Sequence, residues 1–83
     1  MKRFYKSFTG ATRKEVALKV YSLADFCEHK GYTFEIMPEV YHLDTDVLEQ
    51  KVRVFSETET QESLAKVAEY IERKVREYIN VQK

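Results

Sequence analysis

Cysteine occurs once, proline once, glycine twice and tryptophan not at all, and the charges cancel, with 14 Lys and Arg against 14 Asp and Glu in 83 residues. The lone thiol, Cys27, excludes an internal disulfide and cannot by itself build a thiolate metal site, which suits a reducing compartment. Zero net charge leaves no global field to gather polyanions. No stretch approaches about 18 consecutive apolar residues, and the opening MKRFYKSF lacks the apolar core of a secretory signal. The expectation is a cytoplasmic protein without a membrane anchor. There is no internal repeat, low-complexity tract or linker.

What is present is ordinary globular material. Apolar residues at 43% and charged residues at 34% argue against disorder. The length allows one domain over residues 1–83, with a thin core, since a chain of this size buries only roughly 60 to 65% of its unfolded surface. The charges are not evenly spread. Residues 1–14 carry Lys2, Arg3, Lys6, Arg13 and Lys14 with no acid, giving +5, residues 15–62 give −7 and residues 63–83 give +2.

The scarcity of glycine and proline makes each one a marker. Residues 3–8, Arg-Phe-Tyr-Lys-Ser-Phe, end at Thr9-Gly10 and read as a first strand, with Phe4 and Phe8 inward and Lys6 reaching past the edge. Thr12 and Glu15 have capping-box spacing, so a helix starts there. Val16, Val20, Leu23, Ala24 and Cys27 form its apolar stripe, Leu18 and Phe26 lie off it, and Gly31 supplies the left-handed residue that ends such helices.

From Tyr32 the period becomes two. A hairpin is expected from Tyr32 to Leu43, bending at Asp44-Thr45-Asp46 and returning over Val47 to Ser56. Placing Leu43 opposite Val47 pairs Tyr41 with Glu49, Glu39 with Lys51, Met37 with Arg53 and Glu35 with Phe55 on one face. The other face pairs His42 with Leu48, Val40 with Gln50, Pro38 with Val52 and Ile36 with Val54. The Glu39–Lys51 pair supports this register, and Pro38, which has no amide hydrogen, marks an edge strand with a bulge near it. The last helix begins at Thr58 or Thr60. It carries an unbroken stripe of Leu64, Val67, Ala68, Ile71, Val75, Tyr78 and Ile79, and residues 81–83 are expected to fray.

The fold class that follows is α+β, a two-layer β-α-β-β-α chain with a three-stranded sheet and two helices packed on one face. This is a split βαβ pattern, the ferredoxin-like order lacking its last strand. A right-handed crossover is expected to lay the first strand parallel beside the third, leaving the first strand as an open edge.

Two helices cover one face of such a sheet, so the other carries the expected partner surface: Met37, Tyr41 and Phe55, with Lys51 and Arg53 between them. Apolar side chains interleaved with cations suit a protein partner or a second copy, and a homodimer through the open edge or the sheet face is the expected state. The same list suits single-stranded nucleic acid, with rings stacking bases and cations meeting phosphates, helped by the basic N-terminal arm. Gly10, Thr12, Arg13 and Lys14 put a turn and two cations at a helix start, a weak anion-binding candidate without P-loop spacing. His29 and His42 are too isolated for a metal set, and Asp44, Asp46 and Glu49 lack the ligand number and glycine of a calcium loop. No ordered acid, base and nucleophile can be read, so no catalytic residue, cofactor or metal is expected. The functional expectation is a small non-enzymatic interaction or regulatory protein.

Overall fold

A computed structural model describes residues 2–82, and the side chains of residues 3–81. The chain runs β1 (Lys2–Gly10), α1 (Arg13–Lys30), β2 (Thr33–His42), β3 (Val47–Ser56) and α2 (Gln61–Gln82). The expected strand, helix, strand, strand, helix order is what forms. Val81 and Gln82 continue α2 where fraying was expected, and Lys83 lies outside the described residues.

The helix boundaries follow from local chemistry. Thr12 takes an extended backbone and its hydroxyl accepts from the Glu15 amide at 3.2 Å. Gly31 closes α1 with φ of 76°, where a Cβ would be strained, and its amide turns back to the Cys27 and Glu28 carbonyls. Of the two candidate caps for α2, Thr60 serves: its hydroxyl accepts from the Ser63 amide at 3.0 Å and its carbonyl from the Leu64 amide at 3.0 Å. Ser56 organises the approach by accepting from the amides of Thr58 and Glu59.

The sheet order is β1-β3-β2, and β3 is antiparallel to both neighbours. This corrects the expected parallel pairing of β1 with β3. The crossover through α1 makes β1 parallel to β2, and the hairpin then reverses β3 against both. Phe4 and Phe8 point into the core as expected, at 8% and 0% exposure. Val16, Val20, Leu23 and Cys27 from α1 meet Val52 and Val54 from β3 and Leu64, Ala68, Ile71 and Val75 from α2.

The hairpin register also differs from the expected one. His42 pairs with Val47, so Leu43–Asp46 form a four-residue loop, closed by the Asp46 amide on the His42 carbonyl at 2.8 Å. Asp46 adopts φ of 57°, a left-handed conformation that aspartate tolerates. Further along, Ile36 faces Val52 and Glu39 faces Gln50, so Met37 and Pro38 together stand opposite Lys51 as a bulge. The bulge lies where Pro38 signalled one, and it shifts the pairing by one residue. Each one-residue shift turns later side chains over. Tyr41, opposite Leu48, therefore lies on the helix side, with Glu39, while Val40 and His42 lie on the outer side.

Helix α1 packs against all three strands, whereas α2, among the described residues, packs on β1 and α1. Two adjacent helices of about 10 Å diameter span about 20 Å, while three strands spaced about 4.8 Å apart span about 14 Å. With α1 touching all three strands and α2 touching β1 alone among them, a helix layer of that width is expected to extend past the free edge of β1.

Candidate functional site

The outer face of the sheet carries the odd residues of β1 and β3, with Thr33, Glu35, Val40 and His42 from β2. Three cross-strand rows define it. Thr33, Phe55 and Arg3 form the first, Glu35, Arg53 and Tyr5 the second, and Lys51 and Ser7, beside bulged Met37, the third.

In the first row the guanidinium carbons of Arg3 and Arg53 lie 5.7 and 5.6 Å from the Phe55 ring centroid. In the second, Arg53 donates to Glu35 at 2.5 Å, and the bond to this carboxylate raises the arginine pKa above its ordinary value, with smaller help from Tyr5. The Arg53 Nε is buried and meets no acceptor among the described residues, an uncommon condition for an interior N–H. Tyr5 remains 60% exposed. The third row floors a depression of about 410 Å³ lined by Tyr5, Lys6, Ser7, Met37, Lys51 and Val52, so residues of all three strands surround it.

The structure thus brings Met37, Lys51, Arg53 and Phe55 together on the uncovered face. Tyr41 does not join them. The register carries it to the opposite side, where it is 49% exposed and its hydroxyl bonds Asp46. Tyr5, which the sequence reading did not place there, takes the exposed aromatic position instead. Its odd parity with Arg3 and Ser7 was the available signal, once Phe4 and Phe8 were taken inward.

At the far end of this face Ser7 donates to Glu49, and His42 Nε2 lies 2.8 Å from the other Glu49 oxygen. The carboxylate stands between the hydroxyl and the imidazole, so His42 does not touch the Ser7 proton and no activated nucleophile results. The Ser7 hydroxyl, and after it His42, hold Glu49 below its ordinary pKa.

Of the four residues of the candidate anion loop, two are already engaged. Thr12 is committed to capping, and Arg13 lies 3.3 Å from Glu39. Gly10 is crowded: an added Cβ would sit 2.9 Å from Glu15 Cδ and 3.1 Å from Val16 Cγ2. Glu15 in turn places a carboxylate at this end, where it meets Lys19 at 2.8 Å.

A second concavity, missed from sequence, lies between the helices on the layer facing away from the sheet. Phe26, Val67, Tyr70 and Ile71 line a groove of about 640 Å³, and Leu18, Val75 and Tyr78 extend it. The signal was the off-stripe pair Leu18 and Phe26 on α1, together with off-stripe Tyr70 on α2. No group of histidine, cysteine and acidic residues suited to a metal occurs among the described residues. No described helix is long and apolar enough to cross a membrane.

Compared with known proteins, the chain matches no protein family, no curated protein and no solved structure.

Proposed function

We propose that this is a non-enzymatic interaction protein of the cytoplasm that binds a polypeptide through the uncovered sheet face and the adjoining free edge of β1. The observation that carries this reading is the depression at Tyr5, Ser7, Met37 and Lys51 on the sheet face without helices, together with β1, an edge strand paired on one side only. Exposed Tyr5 and half-buried Met37 supply apolar area. Lys51 supplies charge selectivity.

Affinity capture from the native cell tests this, using the intact protein and a Met37→Glu/Lys51→Glu variant of matched circular dichroism. A polypeptide retained by the wild type and lost by the variant is the expected result. Retention of an oligonucleotide, or of nothing, overturns it. A second copy is one polypeptide that fits the face, and light scattering of wild type and Phe55→Glu reports it: a dimeric mass falling to monomeric in the variant places the contact there.

Single-stranded nucleic acid is the second reading, favoured by Arg3, Lys51 and Arg53 around the open Tyr5 ring. Against it, Arg53 is neutralised by Glu35, and the Phe55 ring is engaged by two guanidinium groups instead of standing free for a base. Titration of fluorescent single strands at low and high salt separates the two readings, because phosphate contacts lose affinity steeply with salt.

A further inference from the structure

We propose that the free edge of β1 takes a fourth strand from a partner: an extended segment with apolar residues at alternate positions and an acidic residue opposite Arg3. This rests on the interaction reading above and names the chemistry of its partner.

The backbone of β1 shows where such a strand would bond. An antiparallel strand turns the N–H and C=O of alternate residues towards each neighbour. On β1 the Arg3 carbonyl accepts from the Gln61 side chain at 2.7 Å and the Thr9 carbonyl from the Lys19 ammonium at 2.8 Å. Both carbonyls belong to odd residues, so the odd residues face the open edge and the even ones bond β3. The two ends of the edge are thus closed by side chains of α2 and α1. Between them, the peptide groups of Tyr5 and Ser7 meet no partner on that side among the described residues, which leaves two donors and two acceptors in register for an added strand.

The helix layer supplies the cover. Gln61 and Glu72 of α2 both reach β1, the latter through a 2.8 Å pair with Lys6. Ala65 and Ile79 lie seven residues either side of Glu72 and share its side of the helix. Because a helix layer of this width is expected to extend past the free edge, a fourth strand beside β1 lies beneath this row. Its residues opposite Phe4 and Phe8 point towards α2 and are apolar. The residue opposite Lys6 is polar and uncharged, since Glu72 already neutralises the lysine. The residue opposite Arg3 is acidic, because Arg3 rests on Phe55 without a carboxylate among the described residues and residues 1–14 contain no acid.

A second β1 is a poorer occupant. Matching the open Tyr5 and Ser7 groups of two copies sets Thr9 opposite Arg3, so no acid is supplied there. It also brings two α2 helices onto the same space.

The test uses the intact protein and a fluorescein-labelled peptide, Thr-Val-Thr-Thr-Thr-Val-Glu, whose valines fall opposite Phe8 and Phe4 and whose glutamate falls opposite Arg3. Anisotropy is expected to report binding, with slowed amide exchange at Tyr5 and Ser7. Replacing the threonine opposite Ser7 by proline removes a ladder bond, and replacing the glutamate by lysine reverses the charge. Each change is expected to weaken binding roughly tenfold or more. No binding at about 1 mM peptide, or binding indifferent to the proline, overturns the proposal. Binding that perturbs Met37 and Lys51 but not the Tyr5 and Ser7 amides also overturns it, while leaving the interaction reading intact. Self-association that already protects those two amides overturns it in favour of a second copy. Slow exchange at both amides in a monomer without peptide removes the open edge, and with it the edge part of the functional reading.

Discussion

The ammonium of Lys19 donates to the Thr9 carbonyl at 2.8 Å and to Glu15 at the same distance, so a cation only 3% exposed fastens the end of β1 to α1. Burial of this charge is tolerated because the carboxylate and the carbonyl replace its water. Lys19→Met keeps the length of the side chain and removes both bonds, leaving the Glu15 carboxylate and the Thr9 carbonyl unmatched. A loss of about 1 to 3 kcal/mol in urea unfolding is expected, the usual cost of stranding buried polar groups. An unchanged midpoint would show that the clamp contributes nothing.

Beside this clamp, Gly10 has no room for a methyl group. Gly10→Ala pushes on the Glu15 side chain, which Lys19 holds, and on buried Val16. Overpacking of this kind is expected to cost about 1 to 3 kcal/mol. The double variant Gly10→Ala/Lys19→Met is expected to lose less than the sum of the single losses, because freeing Glu15 lets it move away. A double-mutant cycle measures the difference.

Two leucines test where the core lies. Leu23 is fully buried and Leu43, in the hairpin loop, is 88% exposed. Leu23→Ala is expected to cost about 2 to 5 kcal/mol, and Leu43→Ala less than about 0.5 kcal/mol.

Acid should weaken the fold through Glu49 and Glu59. Both titrate below the ordinary value of 4.5, Glu49 because of Ser7 and then His42, and Glu59 because of Ser63 and then Tyr32. The unfolded chain therefore takes up protons at these sites before the folded one does. Their contribution is complete above about pH 4.5 and is lost as the pH falls through the depressed native values. Glu49→Gln/Glu59→Gln is expected to flatten the acid limb of stability measured by urea unfolding between pH 6 and pH 3, the range that brackets carboxylate titration. A limb as steep as in the wild type would place the acid sensitivity elsewhere.

Burial pushes the Cys27 thiol up from 9.0 to about 11, so the native protein holds its proton longer than the unfolded chain does. Stability is therefore complete below about pH 9 and declines as the pH rises towards the native value. A thiol reagent at pH 8 is expected to label Cys27 only as fast as the chain opens, whereas rapid labelling would contradict its burial.

Local chemistry was largely legible in the sequence. Thr12 and Gly31 marked the ends of α1, the even aromatics of β1 marked the buried side, and Pro38 marked both the edge and the bulge. Strand register was less so, because it depends on how many residues the loop and the bulge absorb. Asp46 can enter the left-handed region and lengthen the loop by one residue, and nothing in the alternation of Tyr32 to Leu43 reveals whether Met37 and Pro38 count as one position or two. Each miscount moved only part of the outer face. Met37, Lys51, Arg53 and Phe55 remained, while Tyr41 left and Tyr5 took its place. The groove between the helices escaped because Leu18, Phe26 and Tyr70 sit beside the main stripes, where single apolar residues are common, and its other apolar walls are residues of the α2 stripe itself.

The doublet at Met37 and Pro38 makes β2 a strand that exchanges its two sides midway. Up to Ile36 it shows its even residues to the helices, and from Glu39 its odd ones. Side-chain placement in the distal half is thus governed by a headcount and not by residue type. Shortening the chain there by one residue would act as a toggle, rotating Tyr41 to the helix-free side and Val40 to the other with no change in their chemistry.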